Sequence, residues 1–520
     1  MDRDSILVRE GESFPGATYK EVVLEPAYEN AKRELLPAML TANKAHLIML
    51  VERGLITSAD AAAVMKAMVD LDEDAVRATP YTGEHEDVFF RVEHLIAESA
   101  GDAAGNLHLA RSRNDLGVAM YRMALRDGLL RAEEAVLGLQ GTLLALAAGH
   151  VGTVMPAHTH AQPAQPTTLA HYLLAVHDSL SRDLRRLAAA FENCNRSPLG
   201  AAALTTSGYA VDRLRVAELL GFGGLVENSY DAIGGADYLG EAAAAVQLSL
   251  LGLGRFVHDL LLWSTREVGA VRLADPYVQV SSIMPQKRNP VSLEHVRSLL
   301  SAGVGDSGTV LTMLHNTPFG DIVDTEDDLQ PYLWRALKAT DELCRLLAVV
   351  VGTMEVNADL LLERAGEGYS TATELADTLV RERGLTFREA HAVTTAVVRL
   401  AESEGIGAHE ITPGLVDRAA EGLIQSPLEL SGDILSRALD PVRFVNVREI
   451  IGGPAPKEID RALKERRAAH TRAASVHGER VGLLRESSRR LEEAARAWAS
   501  KAISSSSRGR GTSEGGPTLD

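Results

Sequence analysis

Residues 115–154 contain no proline, and Leu, Ala, Val and Met recur through them at three- and four-residue spacing. As a helix, at ~1.5 Å per residue, such a run reaches roughly 50–60 Å, far longer than the helices of ordinary globular domains, which average about 10–14 residues. A helix of that length needs apolar partners along its whole extent. The chain supplies them in further Pro-free runs at 167–197, 231–275 and 291–317, each rich in Leu, Ala and Val at helical spacing. Proline, glycine and polar residues gather in the connections. The economical arrangement is an elongated bundle with its chemistry at the helix ends. Apolar residues cover so much of each helix that bundles from several chains are expected to pack together.

Composition agrees. The chain has 520 residues with only 4% aromatics and an excess of Ala, Leu, Glu and Arg, which favours helix over sheet and sets the fold class as all-α. A length of 520 implies about three domains. The expected divisions are an N-terminal helical domain at 1–114, a central long-helix bundle at 115–365, a C-terminal helical domain at 366–502 and a disordered tail at 503–520. The third begins where helices shorten and punctuation sharpens, at Arg383-Gly384, Thr412-Pro413 and Gly452-Gly453-Pro454. A last amphipathic helix is expected over about 457–501, before a Ser/Gly-rich end.

A formal charge of −18 disfavours nucleic acid or an anionic membrane as the main partner, since both need a basic face, although local cations could still hold an anionic substrate. Cys194 and Cys344 alone make no disulfide framework. No signal-like apolar segment opens the chain, and no run reads as an unbroken apolar span. A soluble cytoplasmic protein is expected.

Three polar clusters interrupt the helical pattern. R-S-R-N-D at 111–115 precedes the longest helix, and its two guanidiniums and amide suit carboxylates; taken alone, it is equally an Arg-capped surface turn. H-T-H-A-Q at 158–162 lies in a Pro-flanked loop. No carboxylate or cysteine stands near its two histidines to complete a metal set, so proton transfer is the sharper role and a structural one the commoner. S-S-I-M-P-Q-K-R-N-P at 281–290, followed by Glu294, offers hydroxyls, an amide and two cations in a glycine-free loop; alone it could be a solvated connector. The acidic segment G-E-H-E-D at 83–87 is expected to sit in the first turn of a helix.

In this order and at these separations, the three clusters resemble the motifs of the fumarase/aspartase superfamily, most closely its argininosuccinate lyase branch. S-P-L-G at 197–200, V-D-R at 211–213, N-S-Y-D-A at 228–232, G-Y-S-T-A-T-E-L-A at 368–376 and F-R-E-A-H at 387–391 extend the likeness over about residues 35–455. The resemblance implies a three-domain fold whose central helices form the core of a homotetramer, with each active site built by three subunits. It implies that Ser281 is the general base that takes a proton from the carbon beside a carboxylate. Lys287, Asn289 and loop amides would stabilise the resulting aci-carboxylate. His160, oriented by Glu294, would protonate the leaving nitrogen. Arg113, Asn114, Thr159 and Ser282 would hold the succinyl carboxylates, and the loop carrying Ser281 would close over substrate. Neither a metal nor an organic cofactor is implied.

Departures from the family pattern fall on the amine side. Met39 and Asn43 stand where an Asp and a Ser are usual; Phe319, Asp324 and Asp327 stand where Tyr, Gln and Lys are; Phe89 replaces a histidine and Ala110 a glycine. The acidic stretch should repel a carboxylate and attract a cationic or polyamine group. Reversible release of fumarate from an N-substituted L-aspartate is therefore expected, with argininosuccinate as default substrate. The alternative is an aminopolycarboxylate lyase of the ethylenediamine-disuccinate type. A silent structural relative, of the kind recruited as lens crystallin, is disfavoured because Ser281, His160, Lys287 and Glu294 are all present; adenylosuccinate lyase and fumarase fit the motifs less well.

Overall fold

The computed structural model describes residues 2–508, with side chains as far as Ala502. Among the helices that precede the bundle are α1 (Leu36–Glu52), α2 (Ser58–Asp70) and α3 (Val88–Ala100). Thr57 caps α2 and Asp87 caps α3, each side chain accepting a backbone N–H of the first turn. The acidic cluster thus stands ahead of α3 rather than within its first turn, because Asp87 is its N-cap.

The long run forms α4 (Arg113–Gly149), 37 residues or about 55 Å. It serves two cores. Near its start Leu116, Ala119 and Met123 pack with Leu40, Leu47, Met65 and Ile96 of α1–α3. Beyond Leu125 its buried face joins a bundle made with α5 (Leu169–Cys194), α6 (Asp237–Trp263), α7 (Val291–Leu314) and α8 (Gln330–Thr353). Helix α6 is long and apolar enough by length and composition to cross a membrane, although Glu241, Arg255 and Asp259 interrupt it and no unbroken apolar span is present in it. Ala242, Val246, Leu250, Leu253 and Val257 are instead sealed inside the bundle. Leu248, Leu251, Leu299 and Leu311 are left on the outer faces of α6 and α7.

The segment read as a Pro-flanked loop is a two-stranded antiparallel hairpin, β1 (Val154–Thr159) and β2 (Gln162–Thr168). Its turn residues His160 and Ala161 have φ of 51° and 61°, the left-handed pair that suits the twist of a two-residue hairpin. Prolines 156, 163 and 166 are tolerated because each strand has only one neighbour. A smaller pair, β3 (Gln279–Val280) and β4 (Arg288–Asn289), closes the neck of the 281–287 loop.

A separate core of Leu375, Leu379, Val393, Val397, Leu415 and Leu435 forms around α9 (Ala372–Arg383) and α10 (Phe387–Glu404). The last helix, α11 (Pro456–Arg508), does not pack there. Ile459, Ala462 and Leu463 join the bundle, and Leu491, Ala495 and Ala499 join the N-terminal core. It also carries the helix six residues into the segment expected as a tail, 503–508; positions 509–520 lie outside the described residues.

Charged groups on α11 fix its register. Arg480 and His477 meet buried Glu133 of α4, and Arg466 forms two hydrogen bonds of 2.7 and 2.6 Å to Asp178 of α5. Burial pushes the Asp178 carboxyl up, but hydrogen bonds from His177 and Arg466 outweigh it and hold the group at about 2. Its folded pKa is therefore below the unfolded value of about 3.9. The stabilisation is present above ~pH 4 and is lost as pH falls toward 2. In urea titrations, Asp178→Asn is expected to be less stable than the parent at pH 7 and to converge with it as pH falls to about 2. A gap that persists in acid would remove the ion pair as its cause.

Candidate active site

The R-S-R-N-D segment forms the cap of α4. The Ser112 side chain accepts from the first turn while Asp115 accepts the Ser112 N–H at 2.9 Å, a reciprocal capping box. The other Asp115 oxygen accepts the amides of Gly200 and Ala202 at 2.9 and 3.0 Å, so one fully buried carboxylate joins the helix start to the S-P-L-G turn. Ala110, at φ 57°, occupies the left-handed region that favours glycine.

The two arginines point in opposite senses. Arg111 is buried; its Nη1 donates to Asn43 Oδ1 at 2.6 Å, while its Nε and Nη2 and the Asn43 amide nitrogen have no protein acceptor. Burial lowers its pKa to about 10. Asn43, expected on the substrate side, is only 1% exposed and meets Arg111 beneath the site, because α1 is packed on nearly every side. Met39 is also buried, and Phe89 packs against Phe90 and His108. Burial, reinforced by the Arg111 charge, lowers His46 to about 3 and His108 to about 4, so both are neutral at pH 7.

Arg113 turns outward to Glu86 and Asp87, at 3.4 and 3.2 Å, with its guanidinium 5.3 Å from the Phe90 ring centroid. Asn114 donates to Asp321 at 2.6 Å. The groups expected to grip substrate carboxylates thus hold the protein's own carboxylates here.

Asp321 belongs to the acidic turn between α7 and α8, where residues Asp324–Asp328 form one π-helical turn. Sequence reasoning singled out Asp324 and Asp327 and missed Asp321 and Glu326, although the density of acids between 321 and 328 was the available signal. Burial, then the charge and hydrogen bond of Asp321, raises Glu326 to about 7. Partial burial at the wall of the turn, then the charges of Asp328 and Asp87, raises Asp327 to about 6. Phe319 stands 62% exposed and stacks in parallel on Tyr230, with 6.0 Å between centroids.

The other two motifs stand apart. His158, Thr159 and His160 are exposed at the hairpin tip, and their side chains make no hydrogen bond among the described residues. In the loop, Ser281 Oγ accepts only the Ile283 and Met284 amides among the described residues, at 3.4 and 3.2 Å. Ser282, Lys287 and Glu294 are exposed, and Asn289 is half-buried in β4. Arg288 anchors the neck through Asp275 at 2.6 Å and the Leu273 carbonyl at 2.9 Å. No hydrogen bond or ion pair joins 111–114, 158–162 and 281–289 to one another among the described residues. Nor is there a cluster of three or more metal-ligating side chains among them.

The model of a lyase family matches residues 28–305, and that of the argininosuccinate lyase C-terminal region matches residues 369–446. Argininosuccinate lyase 2 of Agrobacterium fabrum is 38% identical over 454 residues, 86% of this chain and 90% of the relative. Argininosuccinate lyase of Methanoculleus marisnigri is 38% identical over 439 residues, 84% and 88% of the two chains. An EDDS lyase variant with fumarate bound superposes with a TM-score of 0.85 at 32% identity, covering 96% of this chain and 99% of its own. Joined to the long-helix bundle and its three polar motifs, these likenesses place the chain within the lyase family of the fumarase/aspartase superfamily, in the argininosuccinate lyase branch, as a carbon–nitrogen lyase.

Proposed function

We propose that the enzyme reversibly eliminates fumarate from an N-substituted L-aspartate, with argininosuccinate, which yields arginine, as default substrate. Ser281 removes the proton from the carbon beside the distal carboxylate, and Lys287, Asn289 and the loop amides bear the charge that develops on that carboxylate. The C–N bond then breaks, the double bond of fumarate forms, and His160, oriented by Glu294, delivers a proton to the departing nitrogen. Arg113, Asn114, Thr159 and Ser282 hold the two carboxylates. No metal or organic cofactor enters these steps.

The observation that carries this reading is the unengaged state of the reactive side chains. The side chains of His160, Lys287 and Glu294 are exposed and make no hydrogen bond or ion pair among the described residues. Side chains so placed are useful only when other copies bring them together, so we assign the working form as a cytoplasmic homotetramer in which three subunits complete each site. The outward Leu248, Leu251, Leu299 and Leu311 supply apolar area for that assembly.

The test is purified protein with argininosuccinate, and separately with fumarate and a panel of amines, following fumarate by ultraviolet absorbance. Turnover of argininosuccinate at about 1–100 per second is the expected result. The second reading, release of a diamine as in an ethylenediamine-disuccinate lyase, is favoured by one observation: carboxylates rather than a lysine crowd the turn at 321–328. Fumarate consumed with a diamine but not with arginine would select it. A folded tetramer that turns over no pair would leave only a structural role.

A further inference from the structure

We propose that the acidic turn carrying Asp321, Glu326 and Asp327, with the hydroxyl of Tyr121 beside it, seats a second cationic group on the leaving amine, an ammonium or amidinium several bonds from the nitrogen that is released. The proposal rests on the lyase reading above and narrows its substrate class.

Two independent observations support it. The first is a charge imbalance. Arg113 is the cation that acts on Glu326 and Asp327, and it is already engaged by Glu86 and Asp87. Asp321 has the neutral Asn114 amide as its side-chain hydrogen-bond donor among the described residues, and its charge helps to raise Glu326 to about 7. Three carboxylates that share one guanidinium already paired elsewhere are costly, and a bound cation relieves the cost.

The second is Tyr121. It is 7% exposed, yet its hydroxyl has no hydrogen-bond partner among the described residues. The ring is buried while the hydroxyl is left open to a group bound from outside. The side chain reaches back along α4 toward the Arg113 end, as helical side chains do, and its hydroxyl would lie 3.3 Å from a Cβ on Gly117; glycine leaves that space open. The charges acting on the hydroxyl include those of Asp327, Glu326 and Asp321, so it faces the acidic turn. An ammonium there can donate to the hydroxyl and to the carboxylates together. The stacked Tyr230–Phe319 pair adds exposed aromatic surface against which the hydrocarbon of the amine can lie.

Asn114 links the two halves of the site. Its amide is expected to serve the succinyl carboxylate, and in this structure it donates to Asp321. A cation that draws Asp321 toward itself frees that amide, so cation and carboxylate binding assist each other.

The experiment uses three amines that differ only at the far end: 1,4-diaminobutane, 4-amino-1-butanol and 4-aminobutanoate. Each is added to fumarate and the full-length enzyme, with arginine and argininosuccinate run in parallel. The expected kcat/KM order is diamine, amino alcohol, amino acid, with at least about a tenfold gap between first and last. Glu326→Gln should compress the ratio of diamine to amino alcohol to about threefold or less. A flat order, or a ratio unchanged in Glu326→Gln, overturns the seat. Failure of every amine and of argininosuccinate overturns the lyase reading instead, and the seat is then decided by calorimetric titration with 1,4-diaminobutane alone. Glu326 faces Asp321, Asp327 and Arg113, and Asp327 faces Asp328, Asp87 and Arg113. A cation among them expels protons near pH 7, so the heat should differ between phosphate and Tris buffers. Identical heats in the two buffers, or no binding, overturn the seat.

Discussion

Ser281→Ala is expected to lower turnover by roughly a thousandfold or more while leaving the unfolding curve unchanged. The two halves of this expectation have separate causes. Among the described residues, Ser281 Oγ accepts only two long hydrogen bonds from its own loop, and the loop residues 282–287 are exposed, so removing the hydroxyl creates neither a cavity nor an orphaned buried group. Substitutions at such positions usually fall within about 0.5 kcal/mol. Catalytically, the same hydroxyl is assigned the most demanding step, removal of a carbon-bound proton beside a carboxylate. A serine can do this only where its alkoxide is favoured, and Lys287 and the loop amides are positioned in sequence to favour it. Fumarate release followed by absorbance, beside a urea titration, gives both readouts. Activity that survives at the parental rate would remove Ser281 as the base and leave the remaining assignments standing.

Asp115→Ala is expected to cost about 3–5 kcal/mol of stability, the largest effect we anticipate for a single side chain. The carboxylate is fully buried and accepts three backbone N–H groups, from Ser112, Gly200 and Ala202. Truncation orphans all three donors, and each orphaned buried group costs about 1–3 kcal/mol. It also ends the capping box of the helix on which both cores are built. Asp115→Asn keeps the shape but turns an NH2 toward amide donors, so about half the loss is expected to remain. Chemical denaturation of both variants checks this order. Parental stability in Asp115→Ala would show that the turn at 198–202 is held by packing alone.

Much of this molecule was legible in its residues. The long helices follow from spacing, and three of the four Pro-free runs form helices with bounds within about five residues, while the run at 231–275 is helical only over Asp237–Trp263. The hairpin was not legible. Residues 156–166 carry three prolines, a pattern that reads as loop because each proline removes a strand donor; only an isolated two-stranded ribbon tolerates it. The C-terminal helix was read correctly as a helix and misplaced in packing. Its Arg466, His477 and Arg480 meet Asp178 and Glu133, about three hundred residues earlier, and no local pattern encodes such a partner.

The amine side shows the same division. That 321–328 is acidic is a property of the sequence; that Asp321 meets Asn114 across 207 residues is a property of how α4 packs against the α7–α8 connection. Likewise Arg111 and Arg113 are indistinguishable as letters, yet Arg111, ahead of the extended Ser112 cap, turns inward to Asn43, while Arg113, the first helical residue, turns outward to Glu86 and Asp87. By itself the sequence determined the helices, their caps and the three motifs of a fumarate-releasing lyase, because periodicity and motif chemistry act over a few residues. The tertiary structure alone decided which acids surround Arg113, that Tyr121 faces them, and that the three motifs stand apart in one chain, because those relations depend on the packing of helices far apart in sequence.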